Sequence, residues 1–303
     1  MLRAFFISLS ESKSLRAVAE QSAVGRRLSR RFVAGMTVEE VLQATAKTNQ
    51  LGMSVSIDNL GENVTDAAEA GHSAALYHQL LDEIAARKLD ANCSLKLTHM
   101  GLDVDEKLAQ TITLELLEHA ERVNSFLRVD MEGSPYTQKT IDFTRQIHPL
   151  HPGKIGTVIQ SYLRRSEEDV VTLCQDGIRI RLCKGAYKEP PEIAFPDKRD
   201  VDANYVRLMK ILLKSGIYHG IATHDEKMIA ETMAFCQAEK IQAGQFEFQM
   251  LYGVRRDLQQ QLVKQGWQMR VYIPFGTEWY PYLMRRLAER PANVLFIARN
   301  LLR

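Results

Sequence analysis

The sequence has little of what usually announces a metal centre, a disulfide scaffold or a membrane span. Only four cysteines occur in 303 residues, and Cys93, Cys174, Cys183 and Cys236 form no CxxC pair. They read as buried thiols of a reducing compartment, not as disulfides or zinc ligands. The eight histidines form neither HExxH nor HxxEH, so a histidine-based metal site has no support. No apolar run reaches the roughly 20 residues that cross a bilayer. Charge of one sign is also missing: 39 basic and 37 acidic residues leave a net charge of +2. That excludes a strong nucleic-acid footprint and predicts no nucleic-acid partner.

The glycine-rich phosphate loops are absent too. Neither GxGxxG nor GxxxxGK[ST] occurs, which disfavours an open doubly wound sheet with a dinucleotide loop. The opening MLRAFFISLSESKS is broken by Ser8, Ser10 and Glu11 too early for a secretory signal, and Glu11 and Glu20 argue against a transit peptide. The expectation is a cytoplasmic protein with an amphipathic first helix. The one local excess of charge, Arg26, Arg27, Arg30 and Arg31, reads as a solvated helix face or as a contact for anionic lipid or a partner.

What is present is an ordinary globular composition, 45% apolar and 25% charged. A (β/α)8 barrel takes about 250 residues. The length therefore fits an N-terminal helical extension over 1–50 and a barrel over 51–303. Thr37 and Glu40 make a capping box, and Gly52 stops the helix that follows. Beyond it, short β-rich segments alternate with amphipathic helices. Strands are expected at Met53–Asp58, Ser94–Leu97, Phe126–Met131, Thr157–Gln160, Ile178–Lys184, Gly220–Thr223, Phe246–Met250 and Met269–Ile273. Ser134-Pro135 reads as a cap and an N1 proline, and Ser166 with Asp169 as a second capping box. Val206, Met209, Leu212 and Leu213 share a helix face that Gly216 ends. Eight strand–helix units argue for an α/β chain folded as a (β/α)8 TIM barrel.

In such a barrel, function gathers at the C-terminal strand ends. Those ends carry Asp58, Lys96, Asp130, Gln160, Arg181 with Lys184, Thr223 with His224, Gln249, and Tyr272. One polar strand end is usually a capping or surface group. Eight of eight suggest one large polar ligand touching many strands. In the last helix Tyr282, Arg285, Arg286 and Glu289 fall at i, i+3, i+4 and i+7, on one face. Two guanidiniums held by a glutamate suit a carboxylate. Lys96 and Lys184 each read as a Schiff-base nucleophile, as a fixed cation, or as a lysine reaching solvent.

Several segments then resemble the proline dehydrogenase family, in its order and near its spacing. They are Arg181-Leu182-Cys183-Lys184-Gly185-Ala186-Tyr187, Ala222-Thr223-His224, Phe248-Gln249-Met250-Leu251-Tyr252-Gly253, Tyr272-Ile273-Pro274-Phe275-Gly276 and Tyr282-Leu283-Met284-Arg285-Arg286-Leu287-Ala288-Glu289. The resemblance runs from about residue 50 to the C-terminus. With Asp58-Asn59-Leu60-Gly61-Glu62 it is similar to the short, monofunctional bacterial form. It implies a distorted (β/α)8 barrel, non-covalent FAD, and oxidation of L-proline to Δ1-pyrroline-5-carboxylate. It also implies a membrane quinone as acceptor, with peripheral contact at the inner face of the membrane.

Carried over by residue, the resemblance gives Lys96, Arg285 and Arg286 the proline carboxylate, with Glu289 orienting the arginines. Tyr272, Tyr282 and Leu251 would surround the pyrrolidine ring, and Asp130 would sit near Lys96 in the hydrogen-bonded shell. Arg181 would approach the isoalloxazine. Val158, Gln160, Lys184, Gly185, Ala186, Tyr187, Thr223, His224, Gln249 and Phe296 would line the rest of FAD, with Arg286 and Glu289. Lys188 stands where bifunctional relatives have tryptophan, which bears on the adenosine end. The end at Arg303 leads to the expectation that product passes to a separate enzyme. The rival readings are a same-family flavoenzyme acting on hydroxyproline, a lysine-dependent barrel aldolase, and a barrel that only binds an anionic metabolite.

Overall fold

A computed structural model describes residues 29–289, with side chains to Met284. Eight strands, β1 (Ser54–Asn59), β2 (Ala91–Leu95), β3 (Leu127–Val129), β4 (Ile155–Gln160), β5 (Arg179–Cys183), β6 (His219–Ala222), β7 (Phe246–Leu251) and β8 (Met269–Phe275), close into one barrel in chain order. Every neighbouring pair is parallel, and β8 returns to β1 with Ser56 opposite Tyr272. All eight expected strands are found. The second begins three residues earlier than its sequence suggests, because Ala91-Asn92-Cys93 lacks β-branched residues yet pairs with Val55, Ser56 and Ile57. It ends at Leu95, and Thr98–Met100 then makes a 3-10 turn closed by Gly101.

Strand residues alternate between two faces. One face carries Val55, Ile57, Cys93, Leu95, Leu127, Val129, Ile180, Leu182, Phe246, Phe248, Val271 and Ile273, packed into the main apolar core between sheet and helices. The other face carries Ser56, Asp58, Ser94, Asp130, Arg181, Glu247, Gln249, Arg270 and Tyr272, bonded to one another inside the barrel. Barrel interiors are usually filled by branched aliphatics. Here most of the apolar core lies outside the sheet, and the interior, apart from residues such as Val158, is a column of polar side chains.

Helix α1 (Val38–Gln50) precedes β1. Its capping box is present: the Glu40 amide donates to Thr37 Oγ1 at 3.2 Å, and the Thr37 amide donates to Glu40 Oε2 at 3.1 Å. Its buried face, Val38, Val41, Leu42 and Thr45, packs on β1 and β8. In a regular barrel that position belongs to the helix after β8. In this chain that helix, α9 (Trp279–Glu289), instead joins Phe32, Val33, Leu60, Val254 and Leu251 in a separate apolar cluster. Leu60 and Leu251 lie at strand C-terminal ends, so α9 sits over the mouth. This exchange is the distortion of the barrel.

Helices α2 (Ala67–Ala86), α3 (Glu106–Arg122), α4 (Ser134–Ile147), α5 (Ser166–Gln175), α6 (Lys198–Lys214), α7 (Glu226–Glu239) and α8 (Arg256–Lys264) complete the jacket. Two caps differ from expectation. Gly133, not Ser134, caps α4, because the Ser134 hydroxyl is drawn to Glu189 Oε2 at 2.6 Å. Arg165 caps α5: Ser166 turns its hydroxyl to the Leu163 carbonyl, and Asp169 pairs with Arg165 at 2.8 Å. The α6 face behaves as expected, with Met209, Leu212 and Leu213 buried and Gly216 in the left-handed region just beyond. Among the described residues the four cysteines are free thiols, and no helix is long and apolar enough to cross a membrane.

Candidate active site

The mouth is built where the polar face of each strand reaches its C-terminal end. Lys96, just past β2, points its ammonium at both Asp58 oxygens, 3.2 and 3.3 Å away. Both side chains are buried. Burial pushes the Asp58 carboxyl up to about 6, Lys96 pulling the other way. Burial also works against the Lys96 charge, but Asp58, Asp130 and Glu62 outweigh it and hold its pKa above the ordinary lysine value. Lys96 therefore stays protonated, which suits a fixed cation. A Schiff-base lysine must be neutral to attack.

Asp130, just past β3, is the second acid. Its Oδ1 accepts from Arg181 Nη1 at 2.6 Å and its Oδ2 from the Tyr272 hydroxyl at 2.9 Å. Its direct bonds go to these two, while its charge adds to the field on Lys96. Arg181 fills the centre. Its Nη2 donates to Ser56 Oγ and Ser94 Oγ at 3.1 Å each, its Nε to Gln249 Oε1 at 2.5 Å, and its guanidinium lies 5.1 Å from the Tyr272 ring centroid. Every bond of this fork ends on a side chain from a different strand. A guanidinium keeps its charge when buried, so its lost hydration must be offset by partners such as these.

The remaining expected residues flank this centre from β4 to β7. Val158 is opposite Arg181 in register, and Gln160 donates to the Glu132 carbonyl at 2.9 Å. Lys184 is held by Asp202 and Asp225 at 2.5 and 2.7 Å. Gly185 lies at φ +115°, and a Cβ there would stand 2.2 Å from the Tyr162 ring, so Ala186 and Tyr187 continue on a backbone only glycine adopts easily. Thr223 Oγ1 accepts the Asp225 amide at 3.1 Å. His224 Nε2 accepts the Leu251 amide at 2.9 Å, which assigns its proton to Nδ1. Tyr282 is buried in the α9 cluster, against which Leu251 packs. Arg285, Arg286 and Glu289 continue the α9 backbone, but their side chains lie outside the described residues, as does Phe296 entirely.

Sequence reasoning left several participants out. The sequence marks Asp58 as a polar strand end and not as the partner of Lys96. Ser56 and Ser94 went unnoticed, although Ser56/Asp58 and Ser94/Lys96 stand two apart and so share the interior face. Glu132 was missed as well. It accepts from the Thr98 hydroxyl at 2.6 Å, and burial pushes its carboxyl up to about 7. Of the four N-terminal arginines, Arg30 is exposed. Arg31 lines a recess of about 420 Å³ with Gly253, Arg255, Arg256 and Asp257. Arg26 and Arg27 lie outside the described residues.

This donor set suits an extended, anionic, partly aromatic ligand: cations at β2 and β5, amide and hydroxyl groups at β4, β6 and β7, and apolar walls from Leu251, Tyr272 and Tyr282. The fold and mouth define the class, a (β/α)8 barrel whose polar interior opens at a mouth of paired cations and carboxylates under the displaced helix α9.

The chain belongs to the proline dehydrogenase family, whose model, described as proline dehydrogenase, matches residues 41–299. It is 42% identical over 304 residues to proline dehydrogenase 1 of Bacillus subtilis subsp. natto, covering 100% of both chains. It is 36% identical to proline dehydrogenase of Deinococcus radiodurans, over 100% of this chain and 98% of the relative. A crystal structure of proline utilization A (PutA) from Bdellovibrio bacteriovorus, inactivated by N-propargylglycine, superposes with a TM-score of 0.82 at 26% identity. That match covers 88% of this chain, which spans only 33% of the PutA chain.

Proposed function

We propose that this protein oxidises L-proline to Δ1-pyrroline-5-carboxylate with non-covalent FAD, and that a membrane quinone takes the electrons through a peripheral contact at the inner face of the membrane. The barrel carries the site, and α1, from the stretch before residue 51, completes its helix ring. The observation that carries the reading is the pairing of Lys96–Asp58 with Arg181–Asp130–Tyr272 at one barrel mouth, in a chain matched over its full length by proline dehydrogenases.

FAD supplies the hydride acceptor when bound. Arg181, Val158, Gln160, Lys184, Gly185, Ala186, Tyr187, Thr223, His224 and Gln249 hold it from the strand ends, with Arg286, Glu289 and Phe296 on the C-terminal side. Lys96, Arg285 and Arg286 take the proline carboxylate, and Glu289 orients the arginines. Asp58 and Asp130 offset the mutual repulsion of these cations while the site is empty of substrate. Tyr272, Tyr282 and Leu251 enclose the ring. Fixing the ring this way lowers the barrier, by about 7–11 kcal/mol in the best intramolecular cases. The same cations favour the neutral amine, whose lone pair pushes as hydride leaves the adjacent carbon.

The test is an anaerobic titration of the FAD-reconstituted protein followed by visible absorption. Bleaching of the flavin band by L-proline, and much less by hydroxyproline, is the expected result. A flavin band that persists with L-proline would overturn the substrate, and bleaching by hydroxyproline alone would favour the same-family alternative. Failure to take up FAD would overturn the reading as a whole.

A further inference from the structure

We infer that Glu247, one layer deeper in the barrel, is a positioning residue for this reaction: through Gln249 it fixes the direction in which the Arg181 guanidinium faces the mouth. Glu247 and Gln249 stand two apart on β7 and share the interior face, each 2% exposed. Gln249 donates from Nε2 to Glu247 Oε1 at 2.6 Å and accepts from Arg181 Nε at its own Oε1 at 2.5 Å.

The direction of this relay follows from hydrogen-bond chemistry. An ionised carboxylate only accepts, and a guanidinium only donates. Gln249 therefore has one permitted orientation, with NH2 toward Glu247 and C=O toward Arg181. The reversed amide would set donor against donor above and acceptor against acceptor below. Glu247 keeps its charge because Arg270, Gln249 and Arg128 outweigh the effect of burial and hold its pKa below the ordinary value. It is also anchored. Arg270 Nε donates to Oε1 at 2.7 Å and the Tyr218 hydroxyl to Oε2 at 3.1 Å, while Arg270 Nη1 is tied to the Val55 carbonyl at 2.7 Å.

The neighbouring strand leaves room for the relay. At Gly220 a Cβ would stand 2.3 Å from Gln249 Nε2. The lower pair thus acts as a rigid base on which the amide, and then the arginine, is set. The inference rests on the proposed placement of Arg181 beside the flavin.

The experiment uses the full-length, FAD-loaded protein and compares Arg181→Met, Gln249→Met and Glu247→Gln. Gln249→Met removes the relay while leaving the Glu247–Arg270 pair intact, so it guards against misfolding of the Glu247 variant. The readouts are the flavin midpoint potential and, separately, kcat and KM for L-proline. Arg181→Met should shift the potential. Gln249→Met and Glu247→Gln should shift it in the same direction by less, and lower kcat about tenfold with KM nearly unchanged. The double variant Arg181→Met/Gln249→Met should be no worse than Arg181→Met alone, because both act through one group. If Arg181→Met shifts the potential while Gln249→Met and Glu247→Gln leave potential and kcat at wild-type values, the inference is overturned. If Arg181→Met itself leaves the potential unchanged, the placement of Arg181 fails, and the inference falls with it.

Discussion

The interior column has two halves made of the same chemistry, arranged for different ends. In the upper half, Lys96–Asp58 and Arg181–Asp130 meet at the strand ends with hydroxyls of Tyr272, Ser56 and Ser94 between them. In the lower half, Glu247–Arg270 is enclosed by Tyr218 and the Val55 carbonyl. Below it Arg128 and Arg179 flank the Phe126 ring at 4.9 and 4.4 Å. The lower carboxylate is held below its ordinary pKa, whereas the upper Asp58 is raised to about 6. Buried ion pairs add little net stability when complete, but breaking one is costly. The lower half, anchored on the Glu247–Arg270 pair, therefore reads as a structural plug. The upper half keeps part of its electrostatic demand for a ligand.

This contrast can be broken at either end. The largest effect is expected from Arg270→Met, which takes from the buried Glu247 the cation it is paired with. It should destabilise the fold by about 3–5 kcal/mol, measured by denaturant unfolding, and a loss under 1 kcal/mol would contradict a plug role. Lys96→Met in the upper half lets Asp58, already raised to about 6, take up a proton, so it should cost less stability than Arg270→Met and instead lower kcat/KM for L-proline about 100-fold or more. Steady-state kinetics beside a melting curve would show whether the loss falls on activity or on fold.

Glu132 gives a pH test at the edge of the mouth. Its folded pKa of about 7 lies above its ordinary 4.5, so its contribution to stability is complete below about pH 4.5 and is lost as pH rises through 7. Glu132→Gln has no such proton to lose. Between pH 5 and pH 8 the variant should therefore gain on the wild type by about 2 kcal/mol. A parallel pH dependence in the two proteins would remove burial as the cause. The smallest expected change is in selectivity. Tyr272→Ser opens space at the ring and removes the bond to Asp130, so use of hydroxyproline relative to proline should rise a few-fold, about 1 kcal/mol. An unchanged ratio of kcat/KM values would place Tyr272 away from the ring.

The two halves were not equally legible in the sequence. The eight strands could be placed because each short apolar run is bounded by turn or capping residues. The upper polar residues stood out because they fall where strands end. Arg128, Arg179, Glu247 and Arg270 did not, because a charged residue inside an alternating strand reads as a solvent-facing position. Only closure of the barrel turns that face inward, and closure is a property of all eight strands together. The early start of β2 was hidden by Ala91-Asn92-Cys93, whose pairing comes from β1 and not from local propensity. The capping role of Ser134 was overridden by Glu189, fifty-five residues away in sequence. The exchange of α1 for α9 in the helix ring was equally invisible, since both helices carry an apolar face suited to the same place.

Whether the upper half of the column directs proline oxidation can be tested in a single turnover. FAD-loaded protein is mixed with excess L-proline without oxygen or quinone, and Δ1-pyrroline-5-carboxylate is measured against flavin reduced. Equal amounts are expected in the wild type, with a much slower rise of both in Lys96→Met and Arg181→Met. Reduction without that product, or rates that ignore both substitutions, would contradict it.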